Sequence, residues 1–410
     1  MSIYVFWGLW YVFFNASLVL RPMYNVLWPL LCILGFIWKI KSICQLYKRY
    51  CSIQIVWYVF FFVISIITIF YSLKPEASLL YVERMFLSFF FALVVCSGNY
   101  EKLTINVIII FSIILMGISA VQFFSPDLYF LFFLPLISQT DSSLVQGALE
   151  RGELIGLTNG TSQNGLMMCI GFIVFSAKAF TQKDYRWLNI IICFIFMCMV
   201  FATGKRSYSV ITLLVLIIDI WLCSSRTNIQ RRITRLIIAA FIFVIIFISA
   251  VQFIPELGAA FEKFSSLSKN GNALNGRDEL YDMVWVQFLA NPFGVGAGAI
   301  DEITGAAHNS YLQWLAEYGI FFVWFAFYTI LQTPFRQIPS MTNLFREMND
   351  TTLRFYILLA FTMMVLVIVS AFVAVPFQWS NVMMLYMIFQ LMFLKQLKLF
   401  KDQKLFANFK

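Results

Sequence analysis

Apolar runs of about 18–22 residues recur from one end of this chain to the other, each as long as a helix must be to cross roughly 30 Å of hydrocarbon. That pattern leaves few folds open. Without water in the bilayer core, every backbone polar group has to be bonded within its own segment, so such runs fold as spanning helices. Composition agrees: the chain is 61% hydrophobic and 12% charged, against roughly 25% charged for a soluble domain. The expected class is an all-α polytopic membrane protein, a single integral-membrane domain over residues 1–410.

Twelve spans are read, near 3–20, 23–40, 52–72, 77–97, 104–124, 163–181, 187–203, 207–223, 236–254, 316–333, 354–375 and 378–394. The first has no basic stretch before it and is expected to be a retained helix rather than a cleaved signal. With the N-terminus placed in the cytoplasm, 20 of the 29 lysines and arginines fall on the inner side and 8 on the outer, Arg84 lying within a span. That asymmetry puts both termini inside. The net charge of +9 then reflects topology and contact with anionic inner-leaflet lipids, not nucleic acid. All eight cysteines fall in spans or on the inner side, so no disulfide is implied, and their spacing suggests no metal site.

Two loops are long, and both are external: about 125–162 and about 255–307. Long loops in compact proteins are usually functional or disordered. The second contains Leu280, Val284 and Phe288 on one helical face, which predicts an amphipathic helix at the membrane surface. Pro292 ends that helix, and Gly294, Gly296 and Gly298 follow. Alternate glycines allow a tight turn or a close approach to a ligand; a plain turn between helices is the more ordinary explanation. The loop ends at His308, the chain's one histidine. It is either a helix-start residue bonded to backbone or a group that takes and releases protons near neutral pH. After it, Asn309, Gln313 and Glu317 form a polar stripe that should face polar groups rather than lipid.

The external cations are the sharper signal. Lys205 and Arg206 share a short external turn, where two adjacent charges repel unless an anion is near. Arg151 precedes the sixth span and Arg277 opens the amphipathic segment. Each could meet a lipid headgroup alone. Converging, their guanidinium forks would suit a diphosphate. Glu83 and Arg84 form a charged pair inside the fourth span, the best argument for a transporter. No repeat between the two halves supports that reading.

Three segments resemble the O-antigen polymerase and O-antigen ligase superfamily of bacterial glycan assembly. Gly294-Val295-Gly296, followed by Ala307-His308-Asn309-Ser310-Tyr311-Leu312-Gln313 and Glu317-Tyr318-Gly319, is similar to its Gly-x-Gly, His-Asn-x-x-Leu-Gln and Glu-x-Gly signature. Thr203-Gly204-Lys205-Arg206 resembles its Thr-x-Ser-Arg turn, with Lys205 where serine is common. Arg277, Trp285 and Asn291-Pro292 resemble its Arg, Trp and Asn-Pro series, and Arg151 to Asn164 resembles the start of a middle helix more loosely. The likeness covers roughly residues 150–320.

The resemblance implies a GT-C-like membrane glycosyltransferase. Its donor would be an undecaprenyl-diphosphate-linked oligosaccharide on the outer face of the bacterial inner membrane. Its partners would be membrane lipids and, in the same pathway, a chain-length regulator and a flippase. It implies His308 as general base and Glu317 as its orienter or an acceptor contact. Arg206, Arg277, Lys205 and Arg151 would bind the diphosphate, and Asn309, Gln313 and Tyr311 the substrate. No external carboxylate cluster calls for a metal, so transfer without metal or cofactor is expected. The His-Asn-Ser-Tyr-Leu-Gln form favours a polymerase of O-antigen, capsule or exopolysaccharide repeat units. A ligase moving glycan to lipid A–core is the alternative, and a flippase a second.

Overall fold

A computed structural model of the protein describes residues 2–14, 21–137, 143–150, 152–158, 160–253 and 277–408. Arg151 and the part of the large loop at 254–276 lie outside the described residues. The described regular elements are helical, without a strand. They run α1 Ser2–Phe14, α2 Arg21–Leu46, a π-helical turn at Tyr47–Cys51, α3 Ser52–Ile69, α4 Pro75–Ser97 and α5 Glu101–Phe124. Then come α6 Pro126–Phe132, a 3-10 turn at Leu134–Leu136, α7 Ser143–Glu150, α8 Thr161–Thr181, α9 Arg186–Ala202, α10 Arg206–Cys223 and α11 Ile229–Phe253. The chain closes with α12 Arg277–Ala290, α13 Ile300–Ile303, α14 Ser310–Glu347, α15 Thr351–Ser370 and α16 Ser380–Asn408.

Eight helices among the described residues are long and apolar enough to cross a membrane. One of them, Leu27–Ile69, is 43 residues long and contains two of the expected spans. Its ladder breaks at Cys51, where φ is −130° and ψ 20°. The expected spans at 3–20, 187–203 and 236–254 coincide with α1, α9 and α11, of which α1 and α9 are short, at 13 and 17 residues. Local chemistry sets several starts. Pro75 opens α4, where its missing N–H is not needed, and the Asp350 Oδ1 accepts from the amides of Thr352 and Leu353 to cap α15.

The described chain divides into two compact units. Unit 1 comprises residues 1–27, 102–271 and 340–363. Its centre is α8, of which 89% of the best apolar window is buried. Gly171 lets α9 come close: a Cβ there would lie 2.3 Å from the Phe196 ring. Inside, Ser176 donates to the buried Asp219 carboxylate.

Unit 2 comprises residues 28–101, 272–339 and 364–410. Here α16 packs on α4, where Ser88 donates to the Ser380 carbonyl, and further polar groups tie α3, α5, α14 and α16, each with an unsatisfied group in hydrocarbon as its alternative. Tyr58 donates to Gln390, Gln332 and Thr333 donate to Gln54, and Lys395 pairs with Glu101 at 2.6 Å. Glu83 and Arg84 lie on the exposed side of α4, with no polar partner among the described residues.

Candidate functional site

The segment from Asn291 to Gly298 is built as a clasp on α14. Gly319 has φ 68° and ψ 176°, outside helical space, so α14 breaks there. In an unbroken helix the Ile320 amide would bond to the Ala316 carbonyl. Instead it donates to the Pro292 carbonyl at 2.9 Å. The freed carbonyls of Ala316 and Glu317 accept from the amides of Val295 and Gly296, each at 3.0 Å. Backbone meets backbone so closely that side chains are excluded on both sides. A Cβ at Gly294 would lie 2.4 Å from the Glu317 carbonyl oxygen, and one at Gly319 would lie 2.2 Å from the Phe293 carbonyl carbon. The Gly-x-Gly and Glu-x-Gly elements are thus two halves of one contact. The close approach that the glycines were read as offering a ligand is taken by the protein's own helix.

The face of α12 carrying Val284 and Phe288 is also turned inward. It packs with Val295, Ala299, Ile300, Ala307 and Ala316, and Leu280 is half-buried. This corrects the expectation that the face lies on the membrane surface; the apolar residues left exposed are Trp285, Val286 and Leu289. Periodicity marked the buried stripe, but a bilayer and a protein core select the same residues.

The polar stripe of α14 meets polar groups, as its spacing required. Gln313 is fully buried and spends its whole amide: Nε2 donates to Asp301 Oδ1 at 2.7 Å and to Glu317 Oε1 at 3.2 Å, and Oε1 accepts from the Ala307 amide. Glu317, also fully buried, accepts from Gln378 Nε2 at 2.7 Å and from the Gly298 amide. Its carboxylate therefore ties clasp, stripe and the segment after α15 together. Asp301 is exposed over part of its surface, yet desolvation of its carboxyl by the surrounding protein raises its pKa, against the hydrogen bond from Gln313 that lowers it.

Above this network lies the N-terminus of α14. Asn309 is its N-cap, with Oδ1 accepting from the amides of Tyr311 and Leu312. His308 precedes it with φ +49°, a left-handed conformation rare outside glycine, and is half-buried. The turn after α15 braces this corner. The Ser310 amide donates to the Ala371 and Ala374 carbonyls, the Phe377 amide donates to Ser310 Oγ, and the Tyr311 hydroxyl donates to the Ile368 carbonyl. Arg277 reaches the same turn, Nη1 donating to the Val373 carbonyl at 3.2 Å. Arg277 and Ser310, the latter two residues after His308, thus reach one turn that no local signal announced.

In unit 1, Arg206 is the first residue of α10 and is half-buried. Lys205 Nζ lies 4.0 Å from the Glu153 carboxylate. The anion that the paired cations called for is thus partly supplied by Glu153, a residue the sequence reading passed over. The stretch ahead of α8 is rigidly held. Gln122 Oε1 accepts from the amides of Ile155 and Gly156, Tyr129 donates to the Gly156 carbonyl, and Asn164 Nδ2 donates to the Leu154 carbonyl.

A search of curated proteins gave no match. A family model described as O-antigen ligase matches residues 191–328. That range holds Arg206, Arg277, the clasp, His308 and Glu317, and omits Arg151. Members of the superfamily are membrane enzymes acting on polyprenyl-linked glycans. The chain is an all-α polytopic membrane protein, and the match over residues 191–328 supports the O-antigen polymerase and ligase superfamily without separating the two.

Proposed function

We propose that the protein is a glycosyltransferase that joins undecaprenyl-diphosphate-linked oligosaccharide repeat units on the outer face of the cytoplasmic membrane. The observation that carries this reading is the corner at the start of α14, where Arg277 and Ser310, two residues after His308, are bonded to one turn. In the reaction an acceptor sugar hydroxyl attacks the anomeric carbon of the donor. The bond from that carbon to the diphosphate oxygen breaks, and the lipid diphosphate leaves with the electron pair. His308 takes the hydroxyl proton as general base, and Arg277 stabilises the charge growing on the leaving group. Arg206, Lys205 and Arg151 are assigned to the diphosphate as external cations. Glu317 acts by fixing the clasp and stripe around His308; Asn309 and Gln313 shape the corner, and Tyr311 lines it.

Purified protein supplied with lipid-linked repeat units tests the reading. A ladder of elongated lipid-linked glycan, lost in His308→Ala and Arg277→Ala, supports it. Full elongation by either variant overturns the role given to that residue. The family description favours one second reading, a ligase. Transfer to added lipid A–core without a ladder would establish that instead, and lipid-linked sugar moved across vesicles without any transfer would exclude both.

A further inference from the structure

At the end of α9 and α10 remote from the Lys205–Arg206 turn, unit 1 has an open cavity of about 520 Å³. Helix α9 has 17 residues, so the two ends are about 25 Å apart. Phe180, Leu216 and Ile220 form an apolar wall, and Arg186, Ser224 and Arg235 line the cavity with them.

Most arginines at this end are already committed. Arg226 donates to the Arg346 and Met348 carbonyls and to Asn349, and Arg232 donates to the Ser225 and Thr227 carbonyls. The two that line the cavity are not. Arg235 reaches only the Ser224 hydroxyl, at 3.2 Å, and Arg186 has no hydrogen-bonding partner among the described residues. No acidic residue lines the cavity with them: Asp219 is buried against Ser176, and Asp184 is exposed on the turn before α9.

Helix α9 adds to the positive field. Its N-cap, Tyr185, has φ +53° and makes no side-chain cap, and no acidic residue occupies the first turn. The first amides of α9 therefore point outward without an acceptor, beside a guanidinium that the helix dipole itself disfavours there. The carbonyl end of α10 suits one of the two arginines; the second and the uncapped amides remain in excess. Tyr185 and Trp187 are 80% and 78% exposed, the placement of aromatic rings at a membrane–water interface.

We propose that this cavity binds an anionic phospholipid, with the phosphate between Arg186, Arg235 and the start of α9 and an acyl chain along Phe180, Leu216 and Ile220. Charge alone would accept free phosphate too; the apolar wall and the interfacial rings select the lipid.

Delipidated full-length protein in mild detergent, titrated in native mass spectrometry with phosphatidylglycerol, phosphatidylcholine or inorganic phosphate, tests this. Phosphatidylglycerol should bind one molecule at about tenfold lower concentration than phosphatidylcholine. Arg186→Gln/Arg235→Gln should lose that preference, and Arg186→Lys/Arg235→Lys should keep most of it. Arg186→Gln alone, an exposed change at a helix start, should weaken it with the fold intact. Equal preference in the wild type and the double glutamine variant overturns the proposal. Millimolar inorganic phosphate that displaces the bound lipid overturns the lipid as ligand and assigns the site to free phosphate.

Discussion

The Glu317 carboxylate takes hydrogen bonds from Gln313, Gln378 and Gly298 with no exposure to water. Glu317→Ala leaves those neutral donors short of an acceptor, so it should destabilise the protein by about 1–3 kcal/mol for each donor left unsatisfied, seen as a fall in detergent Tm. Asp301 behaves differently. Its raised pKa means that the ionised form is less favourable folded than unfolded. The stability it contributes is present below the ordinary carboxylate pKa and lost as pH rises through the raised value. Asp301→Asn keeps an acceptor for Gln313 without the charge. Its Tm should exceed wild type at about pH 7–8 and converge with it near about pH 4. His308 permits a gentle substitution, because its left-handed backbone also suits asparagine. His308→Asn should retain the wild-type Tm while glycan transfer falls by about 100-fold or more. His308, Arg277 and Arg206 were legible because rare residue types stood out at loop boundaries. Glu153, Asp301 and Gln378 were not, since each matters through a partner 12 or more residues away.

At the level of elements, the places of the apolar helices followed from hydropathy, but their ends and the course of α14 did not. Nothing in its apolar pattern marks the break at Gly319, which depends on a second segment arriving to bond the freed carbonyls. Gly319→Ala and Gly294→Ala each place a Cβ in the same backbone contact. Each should lower stability by at least about 2 kcal/mol. The double variant should cost little more than the worse single one, because the first substitution already opens the clasp. A double-mutant cycle by thermal unfolding measures this; additive losses would mean the two glycines act in separate contacts. The same physics hid the orientation of α12. Its buried stripe was readable, but whether lipid or protein covers a stripe is decided by what the rest of the chain brings to it.

For the whole molecule, each unit is assembled from three separated stretches of sequence, a property no local pattern encodes. A cut between Phe253 and Arg277 leaves unit 1 without residues 340–363 and unit 2 without residues 28–101. Either fragment expressed alone should be degraded, whereas the two together should be recovered from the membrane as a stable pair, as pull-down on a tag carried by one fragment would show. The ion pair between Glu101 and Lys395 adds a matter of timing. The two residues are 294 positions apart, and ribosomes add about 5–20 residues per second, so Glu101 leaves the ribosome some 15–60 s before its lysine exists. Glu101 opens α5 rather than lying at its middle. A carboxylate at a helix end can wait in the headgroup region until α16 arrives, and unit 2 closes only when the last helix has been made.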